Sequence, residues 1–196
     1  NFEANAVDAL GPGPVWYHGP YNNGLYINHA QHMSDFEMDG GRLWAYAEGS
    51  FTDSNVVIQS YNDLNVNYGP NTFSGTTRLT ANTDMRLENR NDYSDGTIVG
   101  EGVVFTADWR EGDANLYGNA MGSGTVTLRE GSRLNTTSDT GHVWGNDIVV
   151  DGNATIATNW LTQSTGKYED DYFGHLTIGD GSLTRTGYAM HSLHFT

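Results

Sequence analysis

One phrase recurs in the second half of this chain and limits what it can fold into more than any other feature. A short run of alternating apolar residues, a turn carrying glycine and a second short run read Thr125-Val-Thr-Leu-Arg-Glu-Gly-Ser-Arg-Leu134, then Asp147-Ile-Val-Val-Asp-Gly-Asn-Ala-Thr-Ile156, then His175-Leu-Thr-Ile-Gly-Asp-Gly-Ser-Leu183. The copies begin at 125, 147 and 175, offsets of 22 and 28 residues. Each copy is too small to bury a core alone, so copies must stack and cover one another's apolar faces.

The rest of the chain from Arg42 onward is written the same way. Val103, Phe105, Ala107 and Trp109 alternate with Val104, Thr106 and Asp108, and Leu64, Val66 and Tyr68 alternate with Asn65 and Asn67. A period of two is the mark of strands with one buried face. Turn signals separate the runs, among them Tyr68-Gly-Pro70, Ser94-Asp-Gly96 and Gly122-Ser-Gly124. Short strands at this spacing admit a sandwich, a barrel or a β-solenoid. Thr, Asn and Gly return in equivalent places, which favours the solenoid, since sandwich strands differ in pattern. The predicted class is therefore all-β, with solenoid repeats over residues 42–196. At a strand spacing of about 4.8 Å, roughly eight or nine coils make a rod on the order of 40 Å long. Helical spacing is confined to a short stretch around Asn28 to Met38.

Residues 1–41 read differently. Gly11-Pro-Gly-Pro-Val-Trp-Tyr-His-Gly-Pro20 and Tyr21-Asn-Asn-Gly-Leu-Tyr-Ile-Asn28 are rich in proline, glycine and aromatic rings. Proline interrupts helix and central strand alike, so this segment is predicted to be largely irregular, with one or two short strands. It is expected to act as an N-terminal cap or contact segment over strand edges that would otherwise be unpaired.

Charge and composition exclude several classes of function. A net charge of −15, with a single lysine at Lys167, argues against nucleic acid and anionic membranes, which need clustered Lys and Arg. No run reaches the roughly 18 apolar residues of a membrane-spanning helix. There is no cysteine, so neither disulfides nor thiolate metal sites hold the fold. The chain opens at Asn1 instead of Met, the reading of a processed or excerpted protein, and the expected place is outside the cell or on its surface.

The segment Asn71-Thr-Phe-Ser-Gly-Thr-Thr-Arg-Leu-Thr-Ala-Asn-Thr-Asp-Met-Arg-Leu87 resembles the autotransporter-associated β-strand repeat, which runs Asn-Thr-Tyr-Ser-Gly, a Thr-rich strand, a small-residue turn and a strand ending in Leu. The segments around Leu128, Val150 and Ile178 resemble its looser relatives. The resemblance implies a right-handed parallel β-helix of a secreted bacterial surface protein, a stalk or adhesive passenger. This chain departs from the pattern at the Ala81-Asn-Thr-Asp84 turn and throughout its aromatic N-terminal part, and the resemblance implies a passenger piece, with no translocating barrel expected among these residues.

Candidate sites follow from residue chemistry. The acidic stretches Asp35 to Asp39, Asp92 to Asp95, Asp147 to Asp151 and Glu169-Asp170-Asp171 offer the oxygen ligands that calcium takes, with the last the strongest candidate, although Asp, Asn and Gly also simply build turns. The pairs His29 with His32 and His191 with His194 lack the further ligands of a zinc site. Trp16, Tyr17, Tyr21 and Tyr26 cluster, and exposed aromatic faces stack on sugars or anchor protein contacts. Leu193 and Phe195 lie in a final strand-like run with no polar cap. No serine-hydrolase elbow or phosphate loop is present, and the lone lysine has no acidic set of the kind polysaccharide-cleaving β-helix enzymes use, so an enzyme is not expected. The expectation is a structural subunit that pairs with copies of itself through strand edges into a filament or matrix, the rival being an adhesin or glycan-binding module.

Overall fold

The computed structural model describes residues 2–19, 24–39, 42–45, 55–59, 64–66, 77–80, 84–87, 96–108, 121–137, 141–159, 169–187 and 191–196. The strands in chain order are β1 (Phe2–Ala4), β2 (Val15–His18), β3 (Gly24–Ile27), β4 (Asp35–Asp39), β5 (Arg42–Ala45), β6 (Asn55–Gln59) and β7 (Leu64–Val66). Next come β8 (Thr77–Thr80), β9 (Asp84–Leu87), β10 (Thr97–Val99), β11 (Val104–Asp108), β12 (Val126–Arg129), β13 (Arg133–Thr137) and β14 (His142–Val143). The last are β15 (Ile148–Asp151), β16 (Asn153–Asn159), β17 (Glu169–Phe173), β18 (Leu176–Ile178), β19 (Ser182–Gly187) and β20 (His191–Phe195). Among the described residues there is no helix and no closed barrel; the chain is all-β.

Each recurring phrase is two strands joined by its glycine turn, and those two strands do not pair with one another. They enter different sheets, where each pairs in parallel with its counterpart from the neighbouring phrase. The largest sheet has the order β18-β15-β12-β10-β8-β6-β4-β2, and a second has the order β19-β16-β13-β11-β9-β7. Two three-stranded sheets, β1-β3-β5 and β14-β17-β20, complete the set. From β12 onward the chain visits three sheets in rotation, so β12, β15 and β18 are neighbours, as are β13, β16 and β19 and then β14, β17 and β20. The register Val126↔Ile148↔Leu176 gives offsets of 148−126 = 22 and 176−148 = 28, the spacing of the phrases themselves.

The alternation in sequence becomes the core. In the eight-stranded sheet one column of register partners runs Tyr17, Met38, Ile58, Leu79, Val99, Leu128, Val150 and Ile178. Met38, Val99, Leu128 and Val150 are fully buried. A second column in the facing sheet carries Phe105, Leu134 and Ile156, again fully buried. Each such side chain contributes about 1.5–3 kcal/mol of burial.

The N-terminal region is more regular than its composition predicts. β1 to β4 all lie within the first 41 residues, and β2 and β4 belong to the same eight-stranded sheet as the later phrases. Pro14 sits immediately before β2, outside its ladder with β4. The helical spacing read around Asn28 to Met38 is overturned: Asp35–Asp39 is a strand, with Phe36 and Met38 inward and fully buried. Turns stack as well as strands. Buried Gln31 donates from Nε2 to the carbonyls of Ala6 and His29, each at 2.9 Å, and accepts from the Leu10 amide at 3.0 Å, fixing residues 5–14 over 28–34. Asn28 Nδ2 donates to Asn5 Oδ1 at 2.6 Å in the same corner. In the glycine turns of the recurring phrases the Asn153 amide donates to Glu130 Oε2 at 2.7 Å and Ser182 Oγ donates to Asn153 Oδ1 at 2.9 Å. Those bonds to Asn153 hold the Glu130 carboxyl below its ordinary pKa.

Candidate functional site

A parallel sheet leaves an unpaired row of backbone groups on each outermost strand, which makes those strands candidate contact surfaces. β18, β19 and β20 are the outermost strands of three different sheets, and β1 and β2 are outermost at the other limit of theirs. Side-chain exposure marks the same places. Ile178 continues the inward column and is 47% exposed, whereas its partner Val150 is 0% exposed. Phe2 is 54% exposed beside Leu25 at 1%. In both cases parallel register places the exposed residue in the same column as a buried partner on the adjacent strand.

The aromatic candidates divide by strand parity. Trp16 is 65% exposed on the outer face of β2. Tyr17, its neighbour in the strand, is half-buried against the core, and burial raises its pKa. Tyr26 is half-buried on β3, and Tyr21 lies outside the described residues. Trp16 and Tyr17 therefore lie on opposite faces of β2. Leu193 and Phe195 on β20 are half-buried, with Phe195 stacked on fully inward Phe173 at 5.7 Å and 24°. They too are the last members of inward rows, since Leu193 is in register with Asp171 and Phe195 with Phe173.

Of the acidic candidate Glu169-Asp170-Asp171, the Glu169 side chain lies outside the described residues, and Asp170 and Asp171 lie on opposite faces of β17. Consecutive strand residues face opposite ways, and Asp170 lies on the outer face while Asp171 is 1% exposed inside. Asp171 Oδ2 accepts a hydrogen bond from Thr136 Oγ1 at 2.8 Å. Of the other acidic stretches, Asp35–Asp39 is β4, Asp147 Oδ1 accepts from the His175 amide at 2.8 Å, Asp151 pairs with Arg129, and 92–95 lie outside the described residues. His32 Nδ1 lies 2.7 Å from Asp8 Oδ1, and this hydrogen bond holds the Asp8 carboxyl low. Among the described residues no group of three or more His, Asp and Glu is placed to hold a metal ion.

One arrangement went unread in the sequence. On the outer face of the β14-β17-β20 sheet, exposed Val143, Tyr172 and His194 share one register row. Tyr172 and His194 stack at 4.6 Å and 17°, His194 Nε2 lies 3.3 Å from Asp170 Oδ2, and Tyr172 Oη donates to the same oxygen at 3.4 Å. On the inner side His142 meets Trp144 edge-on at 4.6 Å, and burial pushes its pKa down to about 4. The signal for the row was parity: Tyr172 and His194 are each two residues from Asp170 and Ser192, which become register partners once β17 and β20 are aligned.

These features define an all-β protein of parallel sheets whose candidate surfaces are uncovered sheet ends and one polar-aromatic face. Comparison with protein-family models, with curated proteins and with solved structures finds no significant match.

Proposed function

We propose that this chain is a β-solenoid, a right-handed parallel β-helix, that works outside the cell as a structural subunit and associates with copies of itself through its sheet ends. The rotation of strands among sheets, with parallel partners one phrase apart, supports the solenoid reading, and parallel crossovers within a sheet are right-handed in about 98% of cases. The observation that carries self-association is the exposure of inward-column residues at both ends, Ile178 and Phe2, each next to a buried register partner. A likeness of residues 71–87 to autotransporter-associated repeats fits an exported stalk or matrix element; of these, 77–80 and 84–87 form β8 and β9.

Sedimentation velocity over a range of protein and salt concentrations tests the reading. Elongated particles that grow with concentration are expected, and growth should be stronger at about 0.15 M salt, where the Debye length is about 8 Å, than at about 0.01 M, where chains of charge −15 repel over about 30 Å. Ile178→Lys should abolish growth while preserving the circular dichroism spectrum. A strictly monomeric profile at high concentration under both salt conditions refutes self-association.

A second reading, glycan binding, draws on the Tyr172 and His194 stack with Asp170 at its edge, an aromatic face beside a carboxylate acceptor for sugar hydroxyls. Tyr172→Ala should then remove retention on a glycan panel to which the parent chain binds; a parent chain retained by no glycan removes this reading.

A further inference from the structure

We infer that the joint between copies is a strand pairing of β18 of one copy with β2 of the next, in the register Leu176↔Val15, Thr177↔Trp16 and Ile178↔Tyr17. This rests on the self-association proposed above and specifies its geometry. β18 and β2 are the two edges of one sheet, and every described pairing between them is parallel, so a second copy placed head to tail continues that sheet without reversing any strand.

Parity restricts the register. Leu176 and Ile178 are the inward residues of β18, partners of buried Ile148 and Val150, and Val15 and Tyr17 are the inward residues of β2, partners of buried Phe36 and Met38. A slip of one residue would set inward Leu176 against outer Trp16, which the period of two disfavours wherever one face is buried. A slip of two would leave one inward residue of each strand without an opposite number, whereas the stated register matches both pairs. It also prolongs the column that ends at Tyr17 on one side and at Ile178 on the other. The outer-face consequence is that Trp16, 65% exposed, comes to lie beside exposed Thr177. The contact is heterologous, and repetition without closure yields an open fibre.

The chain has no cysteine, which makes disulfide trapping clean. Register neighbours on adjacent strands have Cα atoms about 4.8 Å apart, inside the roughly 4.4–6.8 Å that a disulfide spans. The double variant Trp16→Cys with Thr177→Cys, oxidised under assembly conditions, should give a ladder of covalent dimers, trimers and higher species on non-reducing gels, lost on reduction. His18→Cys with Thr177→Cys places the thiols about 8 Å apart by the same spacings and should give no ladder. A ladder from the His18 pair, or dimers from Thr177→Cys alone, overturns the register. Elongated particles by sedimentation with no ladder from the Trp16 pair also overturn it while leaving self-association standing. Monomers throughout remove both.

Discussion

Thr136 and Thr158 are register partners on adjacent strands of the six-stranded sheet, both fully buried, and the same substitution should move stability in opposite directions at the two positions. Thr136 Oγ1 donates to buried Asp171 at 2.8 Å, whereas Thr158 Oγ1 has no hydrogen-bond partner among the described residues. Valine keeps the β-branched shape and replaces the hydroxyl by a methyl group. At 136 it takes a donor from a buried carboxyl, at a cost of about 2 kcal/mol; at 158 it removes an unsatisfied hydroxyl, a gain of about 1 kcal/mol. For a chain of this size 1 kcal/mol moves the midpoint by about 2–4 °C, so Thr136→Val should lower it by about 4–8 °C and Thr158→Val raise it by about 2–4 °C. Thermal melts followed by far-UV circular dichroism, checked by urea midpoints, give the comparison. If Thr158→Val destabilises as much as Thr136→Val, the hydroxyl at 158 is bonded and the reasoning fails.

Two further outcomes follow from turns and titration. Gly152 has φ +121 and an added Cβ would lie 2.8 Å from the Glu130 backbone, while Gly145 has φ +73 with open space around it. Gly145→Ala should cost about 1 kcal/mol of backbone strain and Gly152→Ala about 3 kcal/mol or more, because the stacked turn must shift; equal urea midpoints would refute the tight stacking. His142, with a folded pKa near 4 against an ordinary 6.5, is buried neutral, so the unfolded chain binds the extra proton between those values. Its contribution is present above about pH 6.5, is lost as pH falls toward 4, and amounts to on the order of 2–3 kcal/mol. Urea midpoints from pH 7.5 to 4 should show this slope, and His142→Phe should flatten it.

The repeated phrase was readable because its apolar alternation is a local property. Val103, Phe105 and Ala107 are inward as their spacing predicts, and the phrase offsets reappear as register offsets. What the sequence hid was non-local. A strand of three to five residues such as Phe2–Ala4 or Asp35–Asp39 carries too few positions to reveal its period, and its partner lies about twenty residues away, beyond any local window. The proline and aromatic content of residues 11–28 therefore looked irregular although the ladder passes through it. The run Glu169-Asp170-Asp171 could not be divided between faces for the same reason: only the fold shows that Asp171 faces Thr136, 35 residues earlier, and that Asp170 lies on the outer face with Tyr172 and His194. The sheet ends were legible at β20 through Leu193 and Phe195, but Ile178 and Phe2 acquire meaning only from the burial of Val150 and Leu25.

The parallel ladder has a mechanical consequence. Paired residues in neighbouring strands are separated along the chain by 56−36 = 20 residues at Phe36 and Val56 and by 126−97 = 29 at Thr97 and Val126. A load that peels one layer from the next thus frees a stretch that extends to about 70–100 Å before the following layer bears the force. Under tension the expected response is serial release of short lengths, one layer at a time, instead of one collapse.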